Sequence, residues 1–325
     1  MKAKILNLLR EHSDQYLSGE QLSENLGVSR AAIWKHIKTL KAEGYKIDSI
    51  SNKGYRLLSD THSIQALSLT NMVELYDFLD FGFHYESIDS TNTEAKRFAI
   101  NDDSRQGLFV ADEQKQGKGR LGRSWVSEKK AGLWFSMLLR PSISPEKASG
   151  ITLVAAAAMS MAIEAQSSFN VGIKWPNDLL LGDKKVCGIL TEMSAELNHL
   201  HYLILGIGVN LDQNTFEDDL SNKATSIKMA KGQVSAKALL EAFLKHFSVL
   251  YKSFVLGRME DVIQYHKTKS VTLNRQVTLT SPSGMRQVYA IDLDDMGSLV
   301  IVNENKELET IISGEVSVRG VNGYI

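Results

Sequence analysis

The chain has 325 residues, of which 43% are hydrophobic and 23% charged, with a formal net charge of -1. That length can hold one large core and two small satellites, and the composition excludes disordered and fibrous classes. The single Cys187 excludes a disulfide framework and fits a reducing compartment, and the apolar runs are too short for a signal peptide or a membrane span, so the expectation is a cytoplasmic protein with no membrane segment.

Charge is unevenly placed: residues 1–56 carry ten Lys or Arg against six Asp or Glu, net +4, and the remainder carries 27 against 32. A small basic region joined to a mildly acidic body is expected where only one part meets nucleic acid. The stripe Ile5, Leu6, Leu8 and Leu9 predicts a first helix over 2–10. Ser18-Gly19-Glu20-Gln21 reads as a capping box that starts a second helix, which Gly27 closes, and Ser29 caps a third over 30–43. In that third helix Ile33, Ile37 and Leu40 form the buried stripe with Trp34 on its adjoining edge, while Arg30, Lys35, Lys38 and Lys41 are polar points. Residues 46–50 and 55–58 flank Asn52-Lys53-Gly54, a hairpin turn. Three helices and a hairpin make a winged helix-turn-helix, in which Ser29, Arg30, Ala32 and Lys35 enter a major groove and Lys53 and Arg56 of the wing meet phosphates. A small domain for protein contacts, its lysines merely solvated, is the competing reading. If DNA is bound, one short helix-turn-helix needs a second copy on the duplex, which implies a dimer.

Residues 60–80, with Ile64, Leu67, Leu69, Val73, Leu75 and Leu79, are helical in character and link this region to the body. From Phe83 strands and helices alternate. Strands are expected at 109–111, 133–139, 171–174, 186–193 and 202–209, and helices at 145–166, 236–254 and 259–266. Helices do not follow every strand, so a doubly wound dinucleotide fold is a poor fit to this mixed α/β region. Beyond Ser270, short strands at 277–279, 286–291, 299–302 and 308–312, with turns at Pro282-Ser283-Gly284, Asp295-Met296-Gly297 and Glu304-Asn305-Lys306, fit a small β-barrel. The expected division is 1–60, 61–82 as a helical linker, 83–268 and 269–325.

Three runs carry chemistry. In Gly117-Lys118-Gly119-Arg120-Leu121-Gly122-Arg123, glycines let the backbone fold around an anion while cations supply charge and donors; the lysine-serine or lysine-threonine ending of a P-loop is missing. An exposed basic loop without function is the bland alternative. In Lys174-Trp175-Pro176-Asn177-Asp178, an aromatic stands beside amide and carboxylate groups that need partners or an ion, and Asp178 is a candidate Mg²⁺ ligand; a capped turn with a core tryptophan fits as well. Gly206-Ile207-Gly208-Val209-Asn210 ends a buried strand where glycines admit close approach of a ligand. Lys185 sits in a hairpin after Gly182-Asp183, before an apolar strand; an outward surface lysine is the commoner case. Cys187 reads as a small core residue rather than a nucleophile.

Taken together with Ser90-Thr91-Asn92 and Lys185-Val186-Cys187-Gly188-Ile189-Leu190, these runs in this order, preceded by a winged helix, resemble the bacterial bifunctional biotin protein ligases that also repress the biotin operon. The resemblance spans nearly the whole chain. It departs from the family at Lys118, where an arginine is usual and a planar fork is lost. It implies a biotin site of Ser90, Thr91, Asn92, Gln114, Gly117, Lys118, Gly119, Arg120, Lys185, Gly188, Gly206 and Gly208, with Ser90, Thr91 and Gln114 on the ureido ring. Arg120 and Lys185 are then the catalytic cations, Arg123, Trp125, Lys174, Asn177 and Asn210 serve the nucleotide, and Asp178 holds Mg²⁺. The implied substrates are biotin and ATP, and the implied partners are a biotin carboxyl carrier protein, operator DNA and a second copy of the chain. The glycine-cation loop is expected to fold over the adenylate, and the C-terminal strands to form an SH3-like barrel. A lipoate-type ligase, a metabolite-sensing repressor without catalysis and a structural scaffold are the rivals.

Overall fold

A computed structural model describes residues 1–12, 15–42, 47–50, 53–57, 66–281, 284–312 and 317–320. The chain divides into two compact units, Met1–Ser63 and Ile64–Ile325.

In the first unit, α1 (Lys2–Glu11), α2 (Gly19–Leu26) and α3 (Arg30–Ala42) precede the antiparallel pair β1 (Ile47–Ile50) and β2 (Gly54–Leu57). The capping box forms in both directions: Ser18 Oγ accepts from the Gln21 amide at 3.1 Å, and Gln21 Oε1 accepts from the Ser18 amide at 2.8 Å. Gly27, at φ +64°, closes α2, and the Ala32 amide donates to Ser29 Oγ at 3.3 Å to open α3. Ile5, Leu9, Leu22, Ile33, Ile37 and Leu40 are buried. Trp34, at the adjoining edge of that stripe, is 57% exposed. Asn52, the end of the third helix beyond residue 42 and residues 58–65 fall outside the described residues.

In the second unit, α4 (Ala66–Val73) places Leu69, Met72 and Val73 in the main core, so this part of the expected linker packs on the body. The central sheet takes β3 (Phe81–Tyr85), β4 (Gly107–Ala111), β5 (Gly132–Leu139), β6 (Gly172–Lys174), β7 (Asp178–Leu181), β8 (Lys184–Glu196) and β9 (His199–Asn210) in the spatial order β3-β4-β5-β9-β8-β7-β6. Only β3 and β4 are parallel, which excludes a doubly wound sheet. Between β3 and β4 runs α5 (Thr91–Asn101), absent from the sequence expectation; Ser90 caps it. A 3₁₀ turn at Pro145–Ser149 leads into α6 (Gly150–Gln166), whose alanines and aliphatics are buried against the sheet and α8 (Ala236–Val255). The segment Pro145–Gln166 is long and apolar enough to cross a membrane by composition, yet most of it is buried inside the protein, as for a core helix.

A short α7 (Asp218–Ser221) precedes α8, and α9 (Glu260–Lys269) follows it. The chain then forms an antiparallel sheet from β10 (Arg275–Ser281), β11 (Gly284–Leu293), β12 (Leu299–Val302), β13 (Leu308–Ile311) and β14 (Ser317–Gly320), in the order β13-β12-β11-β10-β14. The last strand was not expected from the sequence. Of the expected turn at 282–284, Pro282 and Ser283 lie outside the described residues.

Candidate active site

Two hairpins build one wall. β6 and β7 turn through Trp175-Pro176-Asn177 with Lys174 paired to Asp178, and β7 returns through Gly182, at φ +58°, into β8. This geometry sends neighbouring lysines to different partners. Lys184 Nζ donates to the Ser221 carbonyl at 2.8 Å, while Lys185 Nζ pairs with Asp178 Oδ1 at 2.6 Å and lies 5.0 Å from the Trp125 ring centroid. Asn177 ties the hairpins together, donating to the Ile189 carbonyl at 2.9 Å and accepting from Arg120 Nη1 at 2.8 Å.

The glycine-cation loop lies opposite as a tight reversal. The Gly119 amide donates to the Arg123 carbonyl at 2.7 Å and the Trp125 amide to the Gly117 carbonyl at 2.9 Å. A Cβ on Gly117 would overlap the Trp125 carbonyl oxygen, so this glycine shapes the turn. The Trp125 ring lies across β8 and β9, where Gly188 and Gly208 leave room for it: a Cβ at Gly188 would stand 2.8 Å from Trp125 Cζ3. The Trp125 indole N–H is buried and has no hydrogen-bond partner among the described residues. An orphaned donor of this kind costs about 1–3 kcal/mol until an acceptor arrives.

Arg120, Arg123, Trp125, Lys174, Asn177, Asp178, Lys185 and Asn210 converge on a cleft of about 680 Å³. Burial pushes the Lys174 ammonium down to about 8, with Asp178 opposing the shift, and burial likewise lowers Arg120. Next to this cleft, Ser90, Thr91, Asn92, Gln114, Lys118, Gly119, Gly188, Gly206 and Gly208 line a cavity of about 40 Å³. Its uncharged polar groups are joined, and Arg120 and Lys185 line it as well as the cleft. The Thr91 amide and hydroxyl donate to Gln114 Oε1 at 2.8 and 3.1 Å, and Gln114 Nε2 donates to Ser127 Oγ at 2.9 Å. Beneath them Ser136 Oγ stands 2.7 Å from Thr91 Oγ1 and 2.6 Å from Asn92 Oδ1, and Asn92 Nδ2 donates to Glu192 Oε2 at 2.7 Å. Gly206 exists for this network, since a Cβ there would overlap the Asn92 side-chain oxygen.

The expected DNA-facing residues belong to the other unit. Ser29, Arg30, Lys35 and Lys53 are exposed and Ala32 is half-buried. The Arg56 guanidinium stacks 4.7 Å above the Tyr16 ring, whose hydroxyl donates to Asp48 at 2.5 Å.

A model described as "Biotin/lipoate A/B protein ligase family" matches residues 84–210, an "HTH domain" model residues 2–56, and a "Biotin protein ligase C terminal domain" model residues 272–319. The bifunctional ligase/repressor BirA of Bacillus subtilis is 30% identical over 321 residues, 98% of each chain. The chain belongs to the bifunctional ligase/repressor family. The biotin--[acetyl-CoA-carboxylase] ligase of Paracoccus denitrificans is 30% identical over 223 residues, covering 66% of this chain and 90% of that one. Among solved structures, the biotin protein ligase of Aquifex aeolicus in complex with biotin and ATP aligns with a TM-score of 0.64 at 30% identity, over 74% of this chain and 98% of the other.

Within this ligase/repressor, several residues of the site escaped the sequence reading. Phe216, Asn222, Lys223 and Arg319 also line the larger cleft, and Ser136, Ser127 and Glu192 support the smaller one. Arg319 arrives on β14, next to β10, and its strand is only four residues long. Ser136 lies within the apolar run of β5, which is buried on both faces, so neither alternation nor spacing gives it a side or a partner. Cys187 is fully buried and its thiol is pushed up by burial, as expected of a core residue.

Proposed function

We propose that the joined cavities condense biotin with ATP and pass the biotinyl group to a lysine of a carboxylase carrier domain, while the N-terminal unit binds operator DNA. The observation that carries this is a neutral amide-hydroxyl network in the smaller pocket that gives way, through Arg120 and Lys185 shared by both pockets, to a cleft that adds Lys174. Biotin has the matching ends, a neutral ureido ring and a carboxylate, and the solved relative from Aquifex aeolicus carries biotin and ATP.

In this reading Ser90, Thr91 and Gln114 address the ureido ring, with Asn92 and Gly206 holding Thr91 in place. Gly188 and Gly208 form the close wall, and Gly117, Lys118 and Gly119 belong to the loop that covers it. A pocket of about 40 Å³ is smaller than such a ligand, so the Trp125 ring moves off Gly188 and Gly208 as biotin enters, and the loop reorders over the product. The freed indole then serves the adenine side, with Arg123, Lys174, Asn177 and Asn210 on the nucleotide.

The carboxylate attacks the α-phosphorus and pyrophosphate leaves; the barrier is the approach of two anions, which Arg120 and Lys185 lower. The acceptor amine then attacks the mixed anhydride carbonyl, and AMP leaves. Among the described residues no group of three or more acidic, His or Cys side chains could cage a metal. Asp178 alone at the cleft suits Mg²⁺ carried in by the polyphosphate, which commonly needs one protein carboxylate, once Lys185 has turned from Asp178 to the phosphate. When bound, the ion would neutralise phosphate charge.

The same proposal includes functional boundaries near residues 60, 82 and 268, SH3-like closure of the C-terminal strands, a homodimer on DNA and a cytoplasmic location; the lone buried Cys187 supports the last. Pyrophosphate release that depends on biotin, compared with lipoate at equal concentration, is the deciding measurement. Release with biotin alone supports this reading, release with lipoate favours the other branch, and release with neither leaves a sensor without catalysis.

A further inference from the structure

An exposed tryptophan on a cationic helix calls for an occupant. Trp34 is 57% exposed on α3, on the same side as Ala31, Lys35 and Lys38, while Ile33, Ile37 and Leu40 take the buried side. Among the described residues of the N-terminal unit the other exposed large apolar side chains are Met1 and Ile50, both smaller and less exposed. The α3 sequence contains no acidic residue. Lys38 Nζ lies 5.3 Å from the Trp34 ring centroid, so a cation is held beside the indole instead of being spread into solvent.

We propose that Trp34 is a base-reading residue of α3 that packs its indole against the 5-methyl group of a thymine in the major groove, with Lys38 released from the ring to an adjacent phosphate. This rests on the DNA-binding part of the proposed function and names its chemistry. The absence of acidic groups on α3 and the basic side chains around Trp34 select a polyanion over an acidic-patch-free protein surface. Within a duplex the thymine methyl is the apolar group offered in the major groove, and every other base edge there would leave a broad indole against unsatisfied polar atoms. Trp34 occupies the fifth position of α3, within the first turn and a half that reaches base edges in helix-turn-helix docking. Ala31, one turn earlier on the same side, is small enough to let the helix approach closely.

The test uses the full chain with biotin and ATP. A duplex is selected from a randomised pool, and then each thymine is replaced in turn by deoxyuridine, which removes the methyl group alone. Wild type, Trp34→Phe and Trp34→Ala are titrated against every duplex. The expected result is one thymine per half-site whose methyl is worth about fourfold in affinity to the wild type, as for one buried carbon. Trp34→Ala should bind the parent duplex more weakly and be indifferent to that methyl, and Trp34→Phe should regain part of the sensitivity. The salt dependence should keep its slope in Trp34→Ala, because the lysines remain. Equal methyl sensitivity in wild type and Trp34→Ala, or no sensitive thymine in the wild type, overturns the inference and leaves DNA binding standing. Failure of the wild type to enrich any duplex overturns the DNA-binding reading along with it.

Discussion

At the Ser90 end of the site, Thr91, Gln114, Ser127, Ser136 and Asn92 exchange neutral hydrogen bonds of 2.6 to 3.1 Å. At the Lys185 end, Arg120, Lys174 and Lys185 crowd around the Asp178 carboxylate, and burial works against the charge of Lys174 and Arg120. Neutral groups that satisfy one another stabilise the fold and hold a shape. Crowded cations with too few counter-charges do the reverse, and they persist where an anion is to be received. The contrast separates recognition from chemistry along a single cleft, so substitutions at the two ends should fail differently.

The largest effect is expected at the charged end. Lys185→Gln keeps the polarity and most of the reach of the side chain but removes the charge needed when two anions converge. Single-turnover pyrophosphate release at saturating biotin and ATP should fall about a hundred- to thousandfold, the usual cost of one transition-state donor at roughly 2.7–4 kcal/mol. Calorimetry should find biotin binding largely kept, because the ureido contacts are remote. Equal losses of binding and rate would erase the contrast at this residue. Lys184 is not placed to substitute, as its ammonium is committed to the Ser221 carbonyl.

At the neutral end, Gly206→Ala drives a methyl group into Asn92, which is held from below by Ser136 and from the side by Glu192. Overpacking of this kind costs about 1–3 kcal/mol. Biotin KM should rise tenfold or more while the single-turnover rate at saturation stays within a few-fold of wild type. A rate loss as deep as that of Lys185→Gln, with KM unchanged, would show that the two ends are not separate.

Local signals in the sequence translated well into structure, and non-local ones did not. The Ser18 and Gln21 capping box, the Gly182 hairpin before Lys185 and the buried strand ending at Asn210 depend on neighbouring residues, and each is found as expected. Helix α5 has no counterpart in the sequence expectation: Thr91 and Asn92 in its first turn are polar, yet both are buried, bonded to groups 23 to 100 residues away. Arg319 reaches the cleft only through the pairing of β14 with β10, and no spacing in the sequence encodes that pairing.

His266 tests whether neutral burial is the rule away from the cleft. It is buried with Nε2 2.8 Å from the Leu153 carbonyl, and desolvation pushes its imidazole down to about 4 from 6.5. The unfolded chain therefore binds a proton that the folded one refuses: stability is full above pH 6.5 and is lost as pH falls from 6.5 toward 4. By pH 5.5 the loss is about 1.4 kcal/mol, one tenfold step in the equilibrium. Urea unfolding at pH 7.5 and 5.5 should show this drop in the wild type and a smaller one in His266→Gln. An identical drop in both would assign the acid sensitivity elsewhere.

The smallest effect is expected from Ser136→Ala, and it tests the contrast most finely because Ser136 is fully buried and lines neither cavity. Its hydroxyl has one proton and two oxygen neighbours, Thr91 Oγ1 and Asn92 Oδ1. Since Thr91 can give its own proton to Gln114, Ser136 decides which way the chain of hydrogen bonds points. Removing it leaves a buried amide oxygen short of a donor and frees the Thr91 hydroxyl to rotate, at a cost of about 1 kcal/mol. Biotin KM should rise about fivefold with kcat unchanged, and Ser136→Thr, which restores the hydroxyl, should recover most of it. A purely structural role would lower the unfolding midpoint without moving KM, whereas a fall in kcat alone would place Ser136 in the service of the charged end. The expected pattern, KM moved and kcat held, requires that orientation of Thr91 and Gln114 be set by a side chain that itself touches no ligand.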